Sequence, residues 1–253
     1  IEFHLITLRF DADSPEESRE GKVRVYRVGW GTRGMTPGES FSPLVYLSKI
    51  LFVPLAAIKA LSLHKKLHFD ALWAMMSYMT LPIVIMRFFG VKVPYAITLQ
   101  EGDPFEHVFT RPHIALFRSL LRSGFRNATA IQAISTFLSG WAKDLGFLGK
   151  VSIIPNGVDN ALFSKSIPEK DLAALKKKLG KKAGDVFLVT TSRLVRKNAI
   201  DDIVRALALL PNPCKFLVIG AGPMEHELRA LAEDQGVLRR ILFLGQIDQK
   251  DIP

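Results

Sequence analysis

The chain has 253 residues, of which 48% are hydrophobic, so it can bury one large core or two modest ones and is not intrinsically disordered. Its single cysteine, Cys214, excludes an internal disulfide and any metal site built from several cysteines. The formal net charge of +10 favours anionic partners, namely nucleotides, nucleic acid or acidic lipid headgroups, and does not choose among them. No basic stretch is interleaved with aromatic residues as in proteins that bind single-stranded nucleic acid, so we expect no nucleic-acid partner.

The first part of the chain predicts short strands and long apolar helices. Residues 1–10 and 22–28 are predicted strands joined by an acidic loop. Residues 44–63 are apolar but are interrupted by two lysines and a proline, so we interpret them as a kinked helix on a sheet or as a surface that touches a membrane, not as a transmembrane span. Residues 74–89 are apolar on nearly all sides, which predicts a buried helix.

Strands and helices continue to alternate along the chain, which is typical of parallel sheets with right-handed crossovers. Further strands are predicted at 69–73, 92–99, 129–135 and 151–154, with helices at 111–124 and 136–145. Residues 155–169 contain Pro-Asn-Gly and lack a clear period, which predicts a linker. We therefore predict an α/β protein with two domains, residues 1–155 and residues 156–253.

The run from Val186 to Gly245 contains the strongest chemical signal. Three strand-like segments, VFLVTTS, KFLVIG and ILFLG, alternate with two amphipathic helices. Because parallel strands end at the same edge of a sheet, the turns after them should converge on one crevice. Arg193 and Lys197 lie in the first of these turns, before a helix N-terminus, and suit a phosphate-bearing ligand. A solvated basic turn explains these two residues equally well.

The other two turns offer backbone groups. Gly220 and Gly222 would let a ligand approach the main chain closely, although the six-residue dinucleotide fingerprint is incomplete. After Gly245, the backbone groups of Gln246 and Ile247 could bind a nucleotide base. Each turn taken alone is also explained as an ordinary tight turn or strand end.

Acidic candidates for a site lie in the first domain. Glu101 and Asp103 follow the predicted strand at 92–99 and could act as a base or hold sugar hydroxyls, with an ordinary exposed loop as the alternative. His107 and His113 match no familiar metal-ligand spacing and are interpreted as surface or core histidines.

Four motifs in series resemble those of family 4 glycosyltransferases of the GT-B fold: IPNGVD at 154–159, SRLVRKNAIDD at 192–202, VIGAGP at 218–223 and FLGQ at 243–246. The resemblance covers most of the chain and is strongest from about residue 129. It implies two Rossmann-like domains, of which the C-terminal one holds a nucleotide sugar and the N-terminal one most of the acceptor.

The same resemblance implies roles for individual residues. Arg193 and Lys197 would contact the donor diphosphate, with Arg196 as the alternative cation, because Arg-Lys-Asn stands where relatives often have Lys-Gly. The glycines of GAGP and the loop after Gly245 would line the nucleotide pocket. Glu101 stands where many relatives have the histidine of a His-Gly pair, so its contact with the sugar is a hypothesis.

The resemblance also implies an activity. We expect a hexosyltransferase-like enzyme that retains anomeric configuration and transfers a sugar from a nucleotide sugar to a lipid-linked sugar or a cell-surface glycan. We expect no bound metal and no other cofactor, because arginine and lysine at a helix N-terminus can neutralise the departing diphosphate and no Asp-x-Asp cluster lies near the donor motifs. A cytoplasmic location, with peripheral contact at the inner membrane face, would suit the acceptor.

Two features of the resembling family are expected outside this sequence. Its glycine-rich loop would precede residue 1 and its paired glutamates would follow residue 253, so we expect a fragment that is inactive alone. The alternatives are a sugar-nucleotide epimerase of similar fold and a non-catalytic nucleotide-binding module.

Overall fold

The computed structural model describes residues 1–35, 43–102, 105, 109 and 117–252. The chain divides into two compact units, Ile1–Asn156 and Gly157–Pro253. Each unit contains parallel strands with helices between them, as the alternating pattern of the sequence predicts.

The described part of the first unit contains two sheets. One has the order β1-β3-β2 and consists of β1 (Phe3–Leu8), β2 (Glu17–Glu20) and β3 (Val23–Val28), with β1 parallel and β2 antiparallel to β3. The other is parallel and follows chain order: β4 (Leu72–Met75), β5 (Tyr95–Leu99), β6 (Ala130–Ala133) and β7 (Ser152–Ile153).

The strand β2 corrects the prediction of an uninterrupted acidic loop between the first two strands. Its sequence, ESRE, is polar at every position and mostly exposed, so it has no apolar period for a pattern to detect. It forms through backbone pairing at the edge of the sheet and through the ion pair of Glu20 with Arg27, at 3.2 Å.

The described residues of the first unit form four helices that pack with its sheets: α1 (Pro43–Leu67), α2 (Thr80–Phe88), α3 (Arg118–Arg126) and α4 (Thr136–Asp144). Their core includes the fully buried side chains of Ile97, Phe125 and Leu138. The predicted buried helix at 74–89 starts later than expected, because Ala74 belongs to β4. Its last residue, Phe88, is 86% exposed, so the end of the helix is not buried as predicted.

The helix α1 runs for 25 residues and continues through Pro54. Among the described residues it is the one helix long and apolar enough to cross a membrane by length and composition, and 28% of its most apolar window is buried. One face packs into the unit: the Ser48 hydroxyl accepts a hydrogen bond from the Trp30 N–H at 2.6 Å and donates one to the Trp30 carbonyl at 3.0 Å.

In the second unit, the described residues 157–252 form one parallel sheet of order β10-β9-β8. Its elements, in chain order, are α5 (Asn160–Phe163), α6 (Glu169–Lys178), β8 (Val186–Thr191), α7 (Ile200–Leu209), β9 (Cys214–Ile219), α8 (Glu225–Asp234) and β10 (Ile241–Gly245). The core forms where the apolar faces of α7 and α8 meet the sheet, with Val204, Phe216 and Leu228 each 1% exposed or less. The strands and helices of the Val186–Gly245 run therefore lie where the sequence predicts them.

Candidate functional site

Three loops meet at the edge of the second unit where β8, β9 and β10 end. The Leu194 N–H in the first loop donates to the carbonyl of Ala221 in the second at 3.1 Å. The Gly220 N–H in the second loop donates to the carbonyl of Gly245, the last residue of β10, at 2.7 Å. The turns after the three parallel strands are thus joined by main-chain hydrogen bonds, which is the convergence that the sequence predicts.

The glycines of the second loop are required by the first loop. A Cβ atom at Gly220 would lie 1.9 Å from the Ser192 carbonyl oxygen, and one at Gly222 would lie 2.4 Å from that of Leu194. Gly220 also has a φ of 137°, which side-chain-bearing residues rarely adopt. Two explanations of these glycines are open from the sequence, the approach of a ligand and a tight turn. In the structure the neighbouring backbone fills the space that each Cβ would need, which accounts for both glycines by loop geometry.

Gly245 has a different environment. Its φ is 70°, and a Cβ built on it meets no atom within 4 Å. The residues that follow, Gln246 and Ile247, are exposed and half-buried, respectively. The main chain at the end of β10 is therefore open on this side, and a ligand could approach it here.

Arg193 lies in the first loop with its side chain exposed. The Arg193 carbonyl accepts hydrogen bonds from the Val195 N–H at 2.9 Å and from the Asn198 side-chain amide at 2.7 Å. Asn198 therefore shapes the loop that presents the guanidinium, a role that the sequence analysis missed. The signal for it was an asparagine within a turn, where its side chain commonly bonds to nearby main-chain groups.

The other two predicted cations occupy the short 3-10 turn Arg196–Asn198. Arg196 is exposed and forms an ion pair with Glu227 of α8 at 3.9 Å. Lys197 is exposed in the same turn. The structure thus brings Arg193, Arg196 and Lys197 into one loop that leads into the N-terminus of α7.

The start of α7 has an unusual backbone. Ala199, the residue before the helix, is left-handed with φ 50° and ψ 37°, and no side chain caps the helix here. This conformation costs an L-residue about 1–2 kcal/mol, and glycine adopts it freely. The first helical turn bears Asp201 and Asp202, which contact Arg205 at 2.9 and 3.1 Å. The hydrogen bond from Arg205 holds the pKa of Asp201 below its ordinary value, so this carboxyl is ionised at neutral pH.

Ser192, next to Arg193, is a second residue that the sequence analysis missed. Its Oγ is buried and has no hydrogen-bond partner among the described residues. A buried hydroxyl is normally paired, so this atom has capacity left for a hydrogen bond at the three-loop edge.

Glu101 lies in the first unit, after β5, and is 7% exposed, so it is not an ordinary exposed loop acid. One carboxylate oxygen accepts a hydrogen bond from the Ser77 N–H at 2.5 Å, at the start of the helical segment that leads into α2. The other carboxylate oxygen and the Ser77 hydroxyl are buried without a partner among the described residues. Asp103, His107 and His113 lie outside the described residues.

The neighbouring backbone is strained. Met76, between β4 and Ser77, has φ 73° and ψ 157°, a conformation that is almost confined to glycine, and its N–H donates to the Thr98 carbonyl at 2.8 Å. Glu101, Ser77 and Met76 therefore form a polar, strained group at the carboxyl ends of β4 and β5. In the described part of the chain, no three His, Cys, Asp or Glu side chains are grouped so that they could hold a metal ion.

Comparison with solved structures identifies the class of fold. Sucrose-phosphate synthase from Thermosynechococcus elongatus matches with a TM-score of 0.71 and 17% identity, over 98% of this chain and 61% of that one. HepE from Anabaena in complex with UDP matches with a TM-score of 0.69 and 17% identity, over 99% of this chain and 70% of that one. The chain has the GT-B glycosyltransferase fold, in agreement with the prediction.

Comparison of the sequence gives a match for the second unit. Residues 171–253, which include all three loops of the edge, match the family described as "Glycosyl transferases group 1". This part of the second unit is therefore similar to that family.

Curated relatives match over part of their length. A GDP-mannose-dependent monoacylated alpha-(1-6)-phosphatidylinositol monomannoside mannosyltransferase of Corynebacterium glutamicum is 34% identical over 103 residues, which is 39% of this chain and 26% of the relative. An alpha-monoglucosyldiacylglycerol synthase of Streptococcus pneumoniae is 23% identical over 199 residues, which is 75% of this chain and 45% of the relative. The chain thus spans less than half the length of both relatives.

Proposed function

We propose that this protein is a glycosyltransferase that moves a hexose from a nucleotide sugar to a lipid-linked acceptor, with retention of anomeric configuration. The main support is the edge of the second unit, where three hydrogen-bonded loops bring an exposed arginine to a helix N-terminus. The family match over residues 171–253 covers the same three loops.

The donor diphosphate binds at this edge, and Arg193 is its main cation. In the transfer, the bond between the sugar C1 and the diphosphate oxygen breaks, and C1 bonds to the oxygen of an acceptor hydroxyl, whose proton passes to the departing diphosphate. Charge develops on the departing diphosphate, and a guanidinium beside a helix N-terminus stabilises it. The buried Ser192 hydroxyl, which has no partner among the described residues, can donate a further hydrogen bond to the phosphates.

The left-handed backbone of Ala199 indicates how this loop corresponds to the Lys-Gly pair, and so where the second cation lies. Glycine is the residue best suited to the conformation of Ala199, so Ala199 occupies the place of the glycine in the family's Lys-Gly pair. Asn198 then occupies the place of the lysine, and its side chain bonds to the Arg193 carbonyl. Lys197 and Arg196 would reach the diphosphate from one and two positions earlier in the loop, without a metal ion or other cofactor.

The nucleoside binds at the open end of β10. Gly245 leaves space beside its main chain, and the backbone groups of Gln246 and Ile247 follow it. Gly220 and Gly222 contribute indirectly, because they let the first and second loops lie close enough to hydrogen-bond.

Glu101 holds a hydroxyl of the transferred sugar. One of its oxygens is engaged by Ser77, and the second is buried and ready to accept a hydrogen bond. The strained Met76 beside it fits a functional site, since such conformations cluster where ligands bind.

A lipid-linked acceptor is supported by the names of the relatives, which include a phosphatidylinositol monomannoside mannosyltransferase and a monoglucosyldiacylglycerol synthase. A glycan acceptor is the second candidate, supported by the match to a putative teichuronic acid biosynthesis glycosyltransferase of Bacillus subtilis, 27% identical over 55% of this chain. We place the protein in the cytoplasm, at the inner face of the membrane.

The proposal is tested by incubating the purified full-length protein with GDP- and UDP-sugars labelled in the sugar and with a bacterial lipid extract. We expect transfer of label into the lipid fraction together with release of nucleoside diphosphate. A labelled sugar that changes configuration while it stays attached to the nucleotide would show an epimerase instead. Binding of the nucleotide sugar without either product would favour the non-catalytic module.

A further inference from the structure

The helix α1 is apolar on two opposite faces. One face packs into the first unit through Val45, Ala56 and Leu63, each less than 9% exposed. Residues spaced three and four apart form a stripe on the opposite, outward face: Leu47, Ile50, Pro54, Ile58 and Leu61. Ile50 is 60% and Ile58 65% exposed. A helix on a protein surface in contact with water normally turns polar residues outward, and an exposed apolar stripe of this kind is typical of an interaction surface.

Aromatic residues from the end of α2 extend this stripe. One shallow hollow is lined by Ile58, Leu61, Ser62, Lys65 and Lys66. A second hollow shares Leu61 and Lys65 and is also lined by His64, Phe89, Gly90, Val91 and Lys92. Phe89 is 66% and its neighbour Phe88 86% exposed, with their rings edge to face at 5.5 Å. Two exposed aromatic rings therefore stand beside the last turns of α1.

Lysines border the same end of the face. Lys65, Lys66 and Lys92 line the hollows, and neither set of lining residues includes a carboxylate. Lys59 is not part of this border, because it forms an ion pair with Glu17 at 2.6 Å. Exposed apolar and aromatic side chains next to lysines match a bilayer interface, where apolar groups reach the acyl chains and ammonium groups stay among anionic headgroups.

We propose that the outer face of α1, together with the neighbouring residues after α2, docks on an anionic lipid bilayer. This docking surface consists of the apolar residues Leu47, Ile50, Ile58, Leu61 and Phe89 and the lysines Lys65, Lys66 and Lys92. The helix lies on the bilayer and does not cross it, because its other face is held in the unit by both hydrogen bonds between Ser48 and Trp30. The inference deepens the proposed function and rests on it for its purpose, since a lipid-linked acceptor is met at the bilayer surface.

The charge on this face argues against a second copy of the chain as its partner. In a two-fold dimer the same patch meets itself, so Lys65, Lys66 and Lys92 would face identical lysines. Anionic headgroups complement the lysines instead, and the overall net charge of +10 favours the same partner.

Vesicle cosedimentation tests the docking surface. We expect the protein to bind vesicles of phosphatidylcholine with phosphatidylglycerol, to bind phosphatidylcholine alone weakly, and to bind less as salt is raised. The triple variant Lys65→Gln/Lys66→Gln/Lys92→Gln should lower partitioning onto anionic vesicles about tenfold or more. The matched control Lys176→Gln/Lys177→Gln/Lys178→Gln, in α6, removes the same net charge and should bind nearly as wild type.

The apolar part of the surface has its own matched pair. Ile58→Gln/Phe89→Gln should reduce vesicle binding severalfold, whereas Leu148→Gln/Leu209→Gln should not, although Leu148 is 97% and Leu209 88% exposed. All substituted side chains are exposed, and circular dichroism would verify that each variant is folded.

Three results would overturn the inference: no binding to anionic vesicles, equal losses in the variants and their controls, or a dimer in light scattering that Ile58→Gln abolishes. The vesicles contain neither acceptor nor nucleotide sugar, so binding is measured independently of transfer. Vesicle binding without any sugar transfer would contradict the proposed function and leave the docking surface intact.

Discussion

The Ser192 carbonyl oxygen occupies the place where Gly220 would carry a side chain, 1.9 Å from an ideal Cβ. The strand-end loops of β8 and β9 are therefore packed main chain against main chain. This contact, together with the hydrogen bond from Gly220 to Gly245, holds the edge that presents Arg193.

Gly220→Ala should destabilise the second unit strongly. We expect a loss of about 3 kcal/mol in the free energy of unfolding, from backbone strain and overpacking of about 1–3 kcal/mol each. Chemical denaturation would measure it. Gly236→Ala is the control, because Gly236 also has a positive φ, of 67°, but has open space where a Cβ would point. Gly236→Ala should lose only the free energy that the positive φ costs an alanine, about 1–2 kcal/mol. Equal losses of unfolding free energy in the two variants would show that the loops are not tightly packed.

Ala199→Gly should stabilise the protein. It relieves a left-handed alanine, and after the entropy of the new glycine is subtracted we expect a net gain of about 0.5–1 kcal/mol. The same substitution at Ala206, an exposed position in the middle of α7, should cost about 1 kcal/mol. The denaturation midpoints of the two variants should therefore move in opposite directions. A loss of stability in both variants would contradict a left-handed backbone at Ala199.

Glu101→Ala and Glu101→Gln should differ. Alanine leaves the buried Ser77 N–H without its acceptor, which we expect to cost about 1–3 kcal/mol of stability. Glutamine keeps an acceptor oxygen, so Glu101→Gln should fold with little loss.

If the second oxygen of Glu101 holds a sugar hydroxyl, Glu101→Gln should lower kcat/KM for the nucleotide sugar about tenfold while its Kd for the free nucleoside diphosphate stays unchanged. Wild-type kinetics in this variant would show that Glu101 does not bind the sugar and has only a structural role, as the acceptor of the Ser77 N–H.

Asp185 should contribute to stability in a pH-dependent way. Its hydrogen bond from Lys215, at 2.6 Å, and a further one from the Lys182 N–H hold its pKa below the ordinary value of 3.8. A carboxyl with a lowered folded-state pKa stabilises the protein fully above its unfolded pKa and loses that effect as the pH falls further. The Tm difference between wild type and Asp185→Asn should therefore be largest near neutral pH and shrink below about pH 3.8.

Asp234→Asn, at the exposed end of α8, removes the same charge and should show little change of that kind. A Tm difference for Asp185→Asn that stays constant from pH 7 to pH 3 would mean that its ion pair with Lys215 does not form in solution.

The elements of the second unit were predictable because each strand is an apolar run and α7 has a regular apolar period, with Ile200, Val204 and Leu207 buried. Because parallel strands end at the same edge of a sheet, the convergence of the three turns was predictable too. The reason for Gly220 was not predictable, because it depends on the carbonyl of a residue in another loop.

Other features left no local trace in the sequence. Glu101 and Ser77 are 24 residues apart in sequence and come into contact because β4 pairs with β5. An alanine at position 199 does not by itself predict a left-handed backbone. The polar edge strand β2 lacks a period because no face of it is covered. The sequence of α1 shows that the helix is apolar, but it does not show which side faces outward. The burial of Val45 and Ser48 identifies the inward face and therefore the outward one.

The most direct measurement is isothermal titration calorimetry of UDP and GDP binding to the wild type, to Arg193→Ala and to Arg239→Ala. Arg239 is also exposed but lies in the turn before β10, at the end of the strand away from the three loops. We predict that Arg193→Ala weakens binding of the preferred nucleotide by about 1.5–3 kcal/mol, roughly 10- to 150-fold, and that Arg239→Ala leaves it unchanged. Unchanged affinity in Arg193→Ala, or an equal loss in Arg239→Ala, would contradict a diphosphate site at this edge.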